Sequence, residues 1–137
     1  MPGKTPAEVS AAIRRQGASA SFRSLDEAVV DRLFERIGTG QADWVALAPK
    51  LAVGADGANA EGLGIALAYA LPRNPAAVLK VVDPVEGDSH ILAVSRVCGI
   101  PFLDDAPKNY KAKALHAVSA VTTANPKARC LDALRKS

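Results

Sequence analysis

The sequence predicts an all-α chain, a single domain over residues 1–137 of about seven to eight short antiparallel helices in a helical bundle or HEAT-like stack. Three observations predict it. Of the 137 residues, 49% are hydrophobic, and alanine, valine and leucine dominate that set while only three Phe, two Tyr and one Trp occur. Alanine is the strongest helix former, and the β-branched and aromatic runs that mark strands are scarce. Apolar residues also recur every three to four positions, and Pro, Gly and Asx residues punctuate them where helices start and stop. The length is close to the commonest domain size, and no internal stretch reads as a linker.

Thr5-Pro6-Ala7-Glu8 is a helix start, with Thr5 as cap and Pro6 at the first helical position, and Gly17 ends that helix. Residues 18–23 read as a connector. Ser24-Leu25-Asp26-Glu27 repeats the capping box, and Leu25, Val29, Val30, Leu33, Phe34 and Ile37 then lie on one helical face before Gly38. A third helix runs from Ala42 to Leu51, and Pro49 is expected to kink or shorten its last turn. Residues 53–57 break the pattern, and Asp56 can cap a fourth helix at about Ala58 to Leu71 with Ala60, Leu63, Leu67, Ala70 and Leu71 on a stripe. Two glycines inside it, Gly62 and Gly64, each cost about 1 kcal/mol relative to alanine, which suggests that a neighbouring helix comes close there.

Asn74-Pro75 opens a short fifth helix that ends near Asp83-Pro84, with Val78, Leu79, Val81 and Val82 as its apolar set. A sixth is expected to start at Asp88 or Ser89, to carry Ile91, Val94, Val97 and Cys98 on one face and to stop at Gly99, although the run from Ile91 to Val97 also fits a strand. Pro107 begins a seventh, with Tyr110, Ala114, Leu115, Val118 and Val121 at helical spacing, and Asn125-Pro126 opens an eighth with Cys130, Leu131 and Leu134. The recurrence of Asn-Pro after two alanine-rich helices is a faint internal echo, of the kind a helical repeat would leave.

The formal net charge is +3 and is unevenly spread: residues 1–99 carry ten Lys/Arg against eleven Asp/Glu, residues 100–137 seven against three. The excess is mild and lacks the interleaved aromatics of a nucleic-acid footprint. No stretch approaches the roughly 20 apolar residues needed to span a bilayer, so a soluble protein is expected. The N-terminus lacks a signal-peptide core, which leaves either a cytosolic protein or a mature exported one in which Met1 replaces an export signal. Cys98 and Cys130 make an even count beside separate predicted helices. They either form a disulfide, which would stabilise the fold by about 3 to 4 kcal/mol, or act as two small buried hydrophobes.

A search for chemistry finds no metal, cofactor or nucleophile signature. The two histidines, His90 and His116, form no zinc motif with each other or with the cysteines and read as surface or boundary residues. There is no Gly-x-Ser-x-Gly elbow, and Gly62-Leu63-Gly64 falls inside a helix, not at a strand-to-helix turn, so no phosphate cradle is expected. Asp83, Glu86 and Asp88 cluster around Val85 and Gly87 without the alternation of a calcium loop. They read either as a solvated loop or, with Asp104 and Asp105, as an acidic patch that recognises a basic partner. Trp44 is expected to pack in the core against the second helix.

The pattern Gly38-Thr39-Gly40-Gln41-Ala42-Asp43-Trp44, then Ala48-Pro49-Lys50-Leu51, Glu61-Gly62-Leu63-Gly64-Ile65-Ala66-Leu67-Ala68, Asn74-Pro75 and Val97-Cys98-Gly99-Ile100-Pro101-Phe102 resembles small exported proteobacterial proteins of unassigned function. The resemblance covers about half of the chain, from Gly38 to Phe102. It implies a cleaved signal peptide, a periplasmic setting, and pairing of Cys98 with Cys130. Helical domains of the bacterial envelope that carry no catalytic motif often serve as binding modules, immunity proteins among them. The leading expectation is therefore a non-catalytic partner-binding protein, an immunity-type inhibitor of a toxic enzyme, which uses Asp83, Glu86, Asp88, Asp104 and Asp105 and no cofactor. The alternative is a binder of nucleic acid or anionic surfaces through Lys108, Lys111, Lys113, Lys127, Arg129, Arg135 and Lys136. An enzyme with an unfamiliar site is the third.

Overall fold

The computed structural model describes residues 5–17, 27–55, 57–87, 89–102, 106–122 and 126–137. In chain order the helices are α1 (Pro6–Gln16), α2 (Glu27–Gly38), α3 (Ala42–Val45), α4 (Ala48–Ala52), α5 (Gly57–Ala70), α6 (Pro75–Val81), α7 (Val94–Cys98), α8 (Tyr110–Ser119) and α9 (Lys127–Lys136). Among the described residues there is no sheet, and the one extended pairing is an isolated parallel bridge between Asp83 and Ala93. The all-α expectation holds.

Local chemistry explains most boundaries. The Thr5 hydroxyl accepts from the Glu8 amide (3.1 Å), and the Gly17 amide closes α1 on the Ile13 carbonyl (2.7 Å). The Asn74 carboxamide does two jobs: Oδ1 caps α6 by accepting from the Ala77 amide (3.2 Å), and Nδ2 donates to the Gly40 carbonyl (2.7 Å). This ties the start of α6 to the α2–α3 turn. Gly40 permits the approach because its φ is +86°, and a Cβ there would lie 3.1 Å from Arg73 Cβ. The expected caps at Ser24, Asp56, Asp88 and Asn125 lie outside the described residues.

Three boundaries differ from expectation. The predicted third helix is two helices, because the chain turns at Ala46 and Leu47 and Pro49 sits in the first turn of α4, where its missing N–H leaves no bond unmade. The sixth helix begins only at Val94. The residues before it turn back on α6, with the Asp83 amide donating to the Leu92 carbonyl (2.8 Å) and the Val94 amide to the Asp83 carbonyl (3.1 Å). The seventh begins at Tyr110, not Pro107, since Asn109 holds a left-handed conformation (φ 61°) that starts the helix three residues later.

One apolar cluster runs from Val9 to Leu134. Its centre is α5, which is apolar nearly all round and buries Leu63, Ala66, Leu67, Ala68 and Ala70. The principal partner of α5 is α2, and the close approach expected at Gly62 is real: a Cβ there would lie 2.5 Å from Phe34 Cε2. At Gly64 the expectation fails, since a Cβ would meet nothing within 4 Å. Trp44 is 6% exposed, with the Arg36 guanidinium of α2 5.2 Å from its ring centre, in keeping with core packing against the second helix. Helix α1 rests on α4, where Lys50 Nζ donates to Ser10 Oγ (2.8 Å).

The C-terminal helices close the other side. Helices α8 and α9 pack against each other, and α9 also packs on α7. Because α2 packs on α5 and α7 on α9, the contacts skip successive elements, as in a bundle rather than a stack of hairpins. Cys98 at the end of α7 and Cys130 in α9 lie at disulfide bonding distance, S–S 2.03 Å and Cα–Cα 5.3 Å, and both are fully buried. The buried Tyr110 hydroxyl donates to the Ala68 carbonyl (2.6 Å), and burial pushes its phenol far above the usual range. That hydroxyl is a structural donor which joins α8 to α5.

Candidate functional site

The most elaborated surface feature is the acidic loop that follows α6. Its two backbone bonds from Asp83 to Leu92 and from Val94 to Asp83 clasp the ends together. Within it, Asp83 Oδ1 accepts from the Val85 amide (2.9 Å), an Asx turn around Pro84. Asp83 Oδ2 lies 2.6 Å from His90 Nδ1. The bond to His90, and then the one from the Val85 amide, holds the Asp83 carboxyl below its usual range despite some desolvation. His90, expected at a helix start, instead closes the loop on Asp83, and its amide donates to the Gly87 carbonyl (3.0 Å). His116 lies on an exposed flank of α8, as expected.

Glu86 reaches across to α7. Its carboxylate accepts from the Ser95 amide (3.2 Å) and from the Ser95 hydroxyl, so it supplies the N-terminal cap that Ala93 cannot. From α9, Arg129 Nη1 donates to the Pro84 carbonyl. The loop is thus fastened to both α7 and α9, the two helices that the Cys98–Cys130 bond joins. At its crest Val85 is 53% exposed, one of two large hydrophobic side chains that stand out to solvent among the described residues, with Val53. Together these elements frame an open groove of about 760 Å³ lined by Pro84, Val85, Glu86, Ser95, Arg129 and Lys136.

Of the acidic residues expected to meet a partner, Asp83 and Glu86 come together on this loop; Asp88, Asp104 and Asp105 lie outside the described residues. Of the basic ones, Arg129 and Lys136 reach the same groove, and Lys136 pairs with Asp132 (2.9 Å). Lys111 bonds the Arg135 and Ser137 carbonyls (3.0 and 2.9 Å), which closes the C-terminal end of α9. Lys108, Lys113 and Arg135 are exposed and Lys127 is half-buried. The sequence reading missed the Asp83–His90 and Glu86–Ser95 pairs. The one signal for the first was an acid and a histidine at the two ends of a single loop; Glu86 to Ser95 offered none, because the helix that Glu86 caps was expected to start earlier.

A second cleft of about 300 Å³ lies between α5 and α7, where Gly64 leaves its floor open beside Ile65 and Ile91, with Glu61 and Arg96 on its walls. It meets the first groove at Ser95 and Gly99. Next to it Ile100 holds φ +53°, a region that β-branched residues rarely adopt. The turn it makes leads to Phe102, which sits edge-on to both Tyr69 and Tyr110, with ring centres 4.8 and 4.9 Å apart. Among the described residues no group of three or more His, Cys, Asp or Glu is arranged to hold a metal. No described helix is long and apolar enough to cross a membrane. Comparison with known protein families, with curated proteins and with solved structures finds no match for this chain.

Proposed function

We propose that the chain is a non-catalytic partner-binding protein of the bacterial envelope, an immunity-type inhibitor that meets a toxic enzyme through the loop at residues 83–87. The observation that carries this reading is Val85, an exposed apolar side chain on a loop fastened at both ends and on two sides. A loop already ordered in the free protein loses little conformational entropy on binding. Glu86 beside it, with Arg129 and Lys136 across the groove, sets charges of both signs around Val85 that would orient a partner surface of complementary pattern. A buried Cys98–Cys130 bond suits an oxidising compartment such as the periplasm.

Val85→Arg tests the reading, because it reverses the character of an exposed position and leaves the loop's own bonds alone. The wild-type chain should capture a defined enzyme, encoded beside it or resident in its envelope, and bind it in calorimetry. The variant should bind about tenfold more weakly or worse at unchanged melting temperature. No binding by the wild-type chain to any such enzyme, or equal binding by Val85→Arg, would refute the assignment.

The basic C-terminal third supports a second reading, a binder of nucleic acid or anionic surfaces. Helix α8 carries no carboxylate, and the one on α9, Asp132, is paired with Lys136. Such binding would weaken steeply as salt is raised. A flat response to salt, or no shift of DNA or RNA, removes it.

A further inference from the structure

We infer that the Cys98–Cys130 bridge is a latch on the binding loop: oxidised, it keeps the 83–87 segment in its docking conformation, and reduced, it lets that segment go slack while the rest of the bundle stays folded. The inference rests on the reading of this loop as the binding element. Helix α7 has only five residues, far too few to persist without tertiary support. It is nevertheless one of the two anchors of the loop, through Ser95 and Glu86, and α9 is the other, through Arg129 and Pro84. The covalent link between these anchors spans 32 positions of chain, and the intervening helix α8 holds to the body separately, through Tyr110 and Ala68. Breaking the link removes the one covalent tie between the two anchors and leaves α7 and α9 to their side-chain packing, while α2 keeps its own packing on α5.

Reduction needs a dithiol. One of its thiolates attacks a sulfur of the bridge, its second thiol resolves the mixed disulfide, and the reductant leaves as a cyclic disulfide. Cys98 and Cys130 gain two electrons and two protons and remain as thiols. Both sulfurs belong to residues with no solvent exposure, so attack requires α9 to lift from α7, the movement that a partner seated over the groove opposes. Coupling between two sites is reciprocal. A bridge that tightens partner binding is in turn reduced less readily in the complex by the same factor.

The test reads the loop itself and needs no partner. Backbone order parameters are measured by NMR in the oxidised wild-type chain and in the Cys98→Ala/Cys130→Ala variant. In the wild type Val85 and Glu86 should be rigid, about 0.85, and in the variant they should fall below about 0.6, while Leu33 in α2 and Leu67 in α5 stay rigid. If the variant does not fold, the same amides are followed in the wild-type chain reduced with dithiothreitol. A loop that stays rigid without the bridge overturns the inference, and so does loss of order throughout, which would make the bridge a general staple. Neither result bears on whether Val85 contacts a partner, which the Val85→Arg binding experiment decides by itself.

Discussion

Two glycines two positions apart, Gly62 and Gly64, have opposite surroundings. Successive positions on a helix are about 100° apart, so residues i and i+2 face nearly opposite ways. Gly62 lies under the Phe34 ring, where a Cβ would come within 2.5 Å of Cε2; Gly64 opens on the cleft between α5 and α7. Alanine gains about 1 kcal/mol of helix propensity at either site. At position 64 nothing opposes the gain, so Gly64→Ala should raise the urea midpoint. At position 62 the half-buried ring must move, and overpacking of this kind typically costs about 1 to 3 kcal/mol, so Gly62→Ala should lower it. A common direction for the two variants would show that the surroundings do not decide. The sequence revealed that some close approach exists, since two helix-weakening residues in one helix call for a reason, but only the packed fold separates the residue that meets a ring from the one that meets open space.

At the scale of elements, periodicity and caps located most helices, because those signals are local. Thr5, Gly17, Asn74 and Pro75 act where the sequence places them. The start of α7 is misplaced because a short apolar run fits a helix by period, yet tertiary bonds claim its first residues, whereas the late start of α8 and the split of α3 from α4 come from the local backbone at Asn109 and at Ala46 and Leu47. Leu92 and Ala93 read as helix, but the Asp83 backbone holds them in a bridge. The Tyr110 hydroxyl shows the same dependence on distant partners. It donates to the Ala68 carbonyl in the last turn of α5, where carbonyls lack helical donors, across 42 positions of sequence. Tyr110→Phe keeps the ring beside Phe102 and removes only this bond. It should lower the unfolding free energy by about 1 to 2 kcal/mol with an unchanged denaturant slope, because the acceptor stays buried. No change in midpoint would mean that water replaces the hydroxyl and that α8 is held by ring packing alone.

For the whole molecule, the all-α class was legible because it follows from composition and period, whereas the pairing of α2 with α5 and of α7 with α9 was not, since the choice among apolar helix faces depends on how their shapes meet. The candidate site was half legible: Asp83, Glu86 and the cysteines were picked out separately, and nothing in the order of residues says that the bridge joins the two helices that anchor the loop. That arrangement gives the bridge two separable effects. The global one comes from the unfolded chain, whose freedom a cross-link over 32 positions restricts by about 3 to 4 kcal/mol in the chain-entropy model. Cys98→Ala/Cys130→Ala should therefore melt roughly 10 °C or more below the wild type, with a similar decrease when the wild-type chain is reduced. The local effect, slackening of the loop, is a property of the folded state and should be complete well below that melting temperature. Far-ultraviolet circular dichroism at low temperature should accordingly keep its helical signal in the variant while the loop amides lose their order. Coincident loss of both at one temperature would instead mean that α7, α9 and the α2–α5 half unfold as a single cooperative unit.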